Sequence, residues 1–168
     1  PYQAHKTLGY FKVPSGNQTR QYSKLKTKID KEALFIAASP LTRHEMHLYY
    51  TSIFLLKITY VLPMSHFSEK QLRTLQGKAM SQLFSKSGYN RNTNQAILFG
   101  PSSLGGAGFH HLYSEQGMLQ VLQFLRVWRQ QSQASDLLKI AVSWAQVNAG
   151  TGTSIFRDVT TPLPHFES

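Results

Sequence analysis

The chain has 168 residues and no cysteine, which excludes disulfides, thiolate metal sites and cysteine nucleophiles together. Its 41% apolar and 12% aromatic content suffices for a packed core and argues against disorder, and its apolar runs are too short for a membrane span, since Phe54-Leu55-Leu56 stops at Lys57. The net charge is +10, and the whole excess lies in residues 1 to 91, which hold fourteen Lys/Arg against four acids, whereas residues 92 to 168 hold four of each.

A one-sided basic field favours a polyanion, because cationic side chains release counterions from a phosphate backbone. Nucleic acid is therefore the expected partner, and no membrane partner is expected. Pro1 opens the sequence inside what reads as a folded unit, so the chain is expected to be a piece of a larger parent protein.

In chain order, Leu8-Gly9-Tyr10-Phe11-Lys12-Val13 is a short β-prone run, followed by turn chemistry in Pro14-Ser15-Gly16-Asn17. Between residues 20 and 38, Tyr22, Leu25, Ile29, Ala33 and Ile36 recur at helical spacing, with Lys24, Lys28 and Lys31 to one side of that stripe; Ser39-Pro40 ends the helix. Thr42-Arg43-His44-Glu45 is a capping box opening a second helix, whose expected stripe is Met46, Tyr49, Ile53, Leu56 and Tyr60, with Pro63 as its stop. Tyr22, Tyr49 and Tyr60 are expected in the core. Ser68-Glu69-Lys70-Gln71 repeats the capping logic before Leu72, Leu75, Ala79 and Leu83, and Gly88 is placed as a C-terminal cap.

Residues 89 to 113 change character: Tyr89-Asn90-Arg91-Asn92 reads as a turn, Ala96-Ile97-Leu98-Phe99 as a short extended run, and residues 100 to 108 as a glycine-rich loop. Two further helices are expected, over residues 114 to 131 with Leu119, Leu122, Leu125 and Trp128 inward, and over 136 to 148 with Leu137, Ile140, Trp144 and Val147 inward. The tail, with Pro162 and Pro164, reads as loosely attached. The expected fold class is mainly α. It comprises a short N-terminal β-hairpin (1–19), a basic three-helix bundle (20–88), a loop with a glycine-rich turn (89–113) and a C-terminal helical pair with tail (114–168).

Catalytic chemistry finds little support. Two-metal phosphoryl transfer needs converging carboxylates, but Asp30, Asp136 and Asp158 are unpaired in sequence, and Glu115 and Glu167 are isolated. His44-Glu45-Met46-His47 departs from the zinc-protease spacing, and capping explains it more simply. The loop from Gly100 to Ala107 puts Gly106 and Ala107 where a phosphate-binding loop needs lysine and a hydroxyl, so close backbone approach is its simpler use. His110-His111, with no acidic or thiol partner nearby, is read as structural or phosphate-contacting. No catalytic residue, metal site or cofactor is expected. The better signal is basic residues interleaved with aromatics: Tyr10, Lys12, Arg20, Tyr22, Lys24 and Lys28, then Tyr89 and Arg91.

The order of these features resembles the segment C-terminal to the catalytic palm in reverse transcriptases of non-LTR retrotransposons. The matching features are Thr7-Leu8-Gly9-Tyr10-Phe11, the Pro-Ser-Gly turn, the basic helix, the helix from Leu41-Thr42-Arg43 to Tyr60-Val61-Leu62-Pro63, and the third helix. Gly88-Tyr89-Asn90-Arg91-Asn92, Phe99-Gly100-Pro101, Gly105-Gly106-Ala107-Gly108 and Leu112-Tyr113-Ser114-Glu115-Gln116-Gly117 look like a post-thumb region of microalgal retroelement polyproteins. The likeness spans residues 5 to 150. It implies a primer-grip hairpin around Leu8-Gly9, a thumb formed by the helices, and a nuclear or cytoplasmic setting.

The adjacent aspartates of that family's palm are missing from this chain, so the implied role is to hold primer-template rather than to polymerise. The residues implied are Leu8, Gly9, Tyr10, Lys12, Arg20, Lys24, Lys28, Lys31, Tyr89 and Arg91. The partners are an RNA-DNA hybrid or duplex backbone and the rest of the parent polyprotein. Two rival readings stand beside it: a structural or protein-interaction module with Trp128 and Trp144 at its core or interface, and an enzyme built from His110, His111, Asp136 or Asp158.

Overall fold

A computed structural model describes residues 5–7, 10–12, 16–90, 92–150, 152 and 154, with only the backbone of residues 5–7 and Lys12. Strands β1 (His5–Thr7) and β2 (Tyr10–Lys12) pair antiparallel, with Thr7 opposite Tyr10 and His5 opposite Lys12. Leu8, Gly9, Arg91, Asp158 and the prolines of the tail lie outside the described residues.

Helix α1 (Thr19–Ala38) buries Leu25, Ile29, Ala33 and Ile36 as its spacing predicts, while Tyr22 is only half-buried, edge-on to Phe67 at 5.8 Å. It stops where Ser39 turns extended before Pro40, and the Lys86 ammonium donates to the Ser39 carbonyl. Helix α2 (Arg43–Tyr49) opens on the expected capping box: the Glu45 amide donates to the Thr42 hydroxyl at 3.4 Å, and the Thr42 amide to the Glu45 carboxylate at 2.8 Å.

The second stripe departs from expectation. A π turn over Tyr50–Phe54 is one residue wider than an α turn and shifts the register behind it, before α3 (Leu55–Thr59) resumes. Tyr50, Phe54, Leu55, Ile58 and Leu62 are buried, whereas Ile53, Leu56 and Tyr60 face outward, Tyr60 with 61% of its surface exposed. The reason is aromatic packing: Tyr50 stacks on Phe54 at 5.7 Å and meets Phe109 edge-on at 5.0 Å, so the wide turn turns Tyr50 inward.

Helix α4 (Glu69–Lys86) follows the Ser68 capping box and buries Leu72, Leu75, Ala79, Met80 and Leu83. Its end is a Schellman motif, with the Tyr89 amide donating to the Phe84 carbonyl at 2.8 Å and the Gly88 amide to Ser85 at 3.1 Å. Gly88 has φ of +80°, and the Arg43 guanidinium occupies the space a Cβ would need while donating to the Ser87 and Gly88 carbonyls. The sequence read 96–99 as extended; it is a single helical turn, α5 (Gln95–Phe99), because the Asn94 side chain accepts from the Ala96 amide at 2.9 Å. The glycine-rich loop then doubles back. The Ala107 amide donates to Ile97 and the Phe109 amide to Leu98, bringing Gly106 so close to the Gly100 carbonyl that no side chain fits.

Three buried glutamines stitch these parts together. Gln21 accepts from the Phe11 amide at 3.0 Å, Gln76 grips the His110 carbonyl and the Leu112 amide, and Gln116 grips both backbone groups of Phe67. Each satisfies main-chain groups that would otherwise be buried unpaired. Phe109 and Leu112 complete the same core as α1 to α4, so the segment 89–113 belongs to the bundle.

Two compact units are present, Pro1–Gln120 and Val121–Ser168. The last helices are α6 (Leu112–Arg129) and α7 (Gln133–Asn148). In the second unit Ser132 caps α7, buried Ser135 donates to the Trp128 carbonyl at 3.1 Å, and Phe124 stacks on Trp128. Leu122, Leu125, Leu137, Ile140, Trp144 and Val147, expected inward, are exposed. Helical spacing places such residues on one face; it does not supply what covers that face.

Candidate nucleic-acid interface

With 3.6 residues per turn, Arg20, Lys24, Lys28 and Lys31 fall within an arc of about 80° on α1, along a track about 16 Å long. That length matches roughly five phosphates of one duplex strand. All four are exposed, next to the buried face of the helix. Lys26 and Asp30 lie on the other flank, where Asp30 pairs with Lys78 of α4 at 2.9 Å.

The arc is not four equivalent cations. The Arg20 guanidinium and the Lys24 ammonium each sit 4.7 Å from the ring centre of Phe11 on β2, so the hairpin supplies one aromatic ring to both cations. Lys28 donates from its ammonium to the Lys57 carbonyl at 2.6 Å. Burial lowers its pKa, with the Lys57 charge adding and Glu32 opposing. Lys31 makes no ion pair or side-chain hydrogen bond among the described residues.

Beneath the arc lies a small network that joins α1 to α2 and α3. Glu32 accepts from Lys57 at 2.7 Å and from the Tyr49 hydroxyl. Burial alone would raise the Glu32 pKa, but the hydrogen bonds from Lys57 and Tyr49, with the charges of Lys57 and Lys28, lower it. Burial and the bond to Glu32 push the Tyr49 phenol above its ordinary range. Lys57 therefore adds a cation beside Lys28 that the sequence did not single out; its helical position gave no hint of which way it faced.

Other expected residues have different uses. The Tyr10 hydroxyl donates to the Met64 carbonyl at 2.8 Å, tying β2 to the turn after α3. Tyr89 packs edge-on to Phe109 at 5.9 Å, with the Arg43 guanidinium 5.7 Å from its ring centre, so its ring belongs to the bundle's edge. Leu8, Gly9, Arg91 and the side chain of Lys12 are outside the described residues.

His110, expected to lack an acidic partner, has one: its Nδ1 meets the Glu115 carboxylate, and its amide donates to the Tyr50 hydroxyl at 2.8 Å. The four intervening residues hid this contact in the sequence. His111 stands edge-on to Phe99 at 5.5 Å. His47 packs on Phe109 at 5.6 Å, and no cluster of three or more metal-ligating side chains occurs among the described residues. No described helix is long and apolar enough to cross a membrane.

No family model matches this chain, nor does any curated protein or solved structure.

Proposed function

We propose that the chain is a non-catalytic, thumb-like region of a retroelement reverse transcriptase that holds primer-template through its backbone. The single observation that supports it best is the placement of Arg20, Lys24, Lys28 and Lys31 on one exposed arc of α1, two of them over Phe11. Cations in a row along a rigid helix suit phosphates spaced along a strand, and such contacts carry no base information, as copying of any template requires. The order of hairpin, basic helix and two capped helices supports the same reading. Binding of an RNA-DNA hybrid measured against salt tests it: log affinity falls linearly with log salt, with a slope near −3 for three or four phosphate contacts. A flat response rules the reading out.

The exposed apolar face of α7, formed by Leu137, Ile140, Trp144 and Val147, favours a second reading in which the chain docks on the rest of a parent protein. Indifference to nucleic acid, with concentration-dependent self-association relieved by Trp144→Ser, would support that alternative.

A further inference from the structure

A cavity of about 520 Å³ opens along α4 in the first unit, within the size range of small-molecule sites. Phe84 of α4 and Phe99 of α5 line it, with His111 beside them. The two rings stand edge-on to each other at 6.2 Å; Phe84 is further fixed edge-on to Phe109 at 5.0 Å, and Phe99 by His111. The cavity thus has an aromatic wall whose geometry is set by the core.

Arg73 lines the same cavity from α4. Among the described residues its guanidinium makes no ion pair, and no acid lines the cavity, so an anionic group there meets an uncompensated cation. Gly77, one helical turn beyond Arg73, also lines it, and a Cβ built there meets nothing within 4 Å. Glycine disfavours a helix interior, and at this position neither close packing nor positive φ calls for it. The space above it remains part of the cavity.

Fixed rings and a guanidinium without an ion pair, lining one cavity about three helical turns apart along α4, suit a flat ring that carries an anionic group on an extended arm. We infer that this cavity receives one unpaired nucleotide, its base against Phe84 and Phe99 and its phosphate toward Arg73. The inference deepens the proposed function, since the nucleotide would belong to an unpaired part of a bound strand, yet the cavity can be probed on its own.

The test is an amide-resolved NMR titration of the full chain with adenosine 5′-monophosphate, with adenosine as the uncharged comparison. The expected result is saturable shifts at Gly77, Thr93 and Phe99, with adenosine and the Arg73→Ala variant each about tenfold weaker. Gly77→Leu fills the space while improving helix propensity, so it keeps the fold and abolishes the shifts. Absence of saturable shifts, or shifts that survive Gly77→Leu, overturns the inference. Hybrid-duplex binding is measured alongside: nucleotide failure with salt-dependent duplex binding intact sinks this inference alone, and loss of both sinks the proposed function with it.

Discussion

The Lys28 ammonium donates to the Lys57 backbone carbonyl at 2.6 Å, so a cation of α1 caps the C-terminal turn of α3. Carbonyls in a helix's last turn have no partner within the helix, and a lysine there also meets the negative end of the helix dipole. Lys28→Ala is therefore expected to lower stability by about 1 kcal/mol, whereas Lys31→Ala stays within about 0.5 kcal/mol of wild type. Urea midpoints compare the two. Affinity for an RNA-DNA hybrid is expected to rank them the other way, Lys31→Ala losing more, because of the two it is Lys28 whose ammonium is engaged with the Lys57 carbonyl, whereas Lys31 has no side-chain partner among the described residues.

Arg43 and Gly88 are fitted to each other at the end of α4. Gly88→Ala combines a strained positive φ with displacement of the Arg43 guanidinium from its hydrogen bonds to the Ser87 and Gly88 carbonyls, and a loss of about 2 kcal/mol is expected. Gly16 also has positive φ, at 74°, but open space around it, so Gly16→Ala is expected to lose only about 1 kcal/mol. Chemical denaturation of the two variants reads the difference. Equal losses would mean that the Arg43 contact adds nothing.

The π turn makes opposite demands on neighbours in sequence. Phe54→Ala and Ile58→Ala are expected to cost about 3 kcal/mol or more, while Leu56→Lys and Ile53→Lys stay within about 0.5 kcal/mol. An uninterrupted α-helix would make Ile53 and Leu56 the damaging pair. Thermal denaturation of the four variants decides between the registers.

The Glu32, Tyr49 and Lys57 network gives stability a pH dependence on both sides. Glu32 has a lowered folded pKa, so its contribution is full above the ordinary value of 4.5 and is lost as pH falls through the folded value. Tyr49 has a raised folded pKa, so its contribution is full below the ordinary value of 10.0 and is lost as pH rises above it, where the unfolded chain ionises first. Glu32→Gln is expected to flatten the acid limb of unfolding free energy against pH. Tyr49→Phe is expected to flatten part of the alkaline limb only, because burial raises the Tyr50 and Tyr10 phenols as well. Unchanged limbs in both variants would show that the network does not couple to folding.

Much of the bundle is legible in the sequence where local signals agree. The stripes of α1 and α4 repeat without interruption, and Thr42 with Glu45 and Ser68 with Gln71 mark two starts through bonds made within four residues. The slip at Tyr50–Phe54 was not legible, because its cause is Phe109, reached only once the distant loop folds back. The structural roles of Gln21, Gln76 and Gln116 are not legible in the sequence for the same reason: their partners are backbone groups of other segments. Of the candidate interface, the shared arc of Arg20, Lys24, Lys28 and Lys31 follows from spacing alone. The ring of Phe11 beneath two of them, and the diversion of Lys28 to Lys57, depend on how β2 and α3 dock.

The most direct measurement compares two triple variants of equal charge change in their salt-dependent binding of an RNA-DNA hybrid. Arg20, Lys24 and Lys31 changed together to Ala remove the arc, whereas Lys26, Lys70 and Lys139 changed to Ala remove three exposed cations elsewhere. The arc variant is expected to lose about two to three units of the slope of log affinity against log salt, and the control less than one. Equal losses in the two variants would contradict the account, because the charge would then act as a diffuse field with no track along α1.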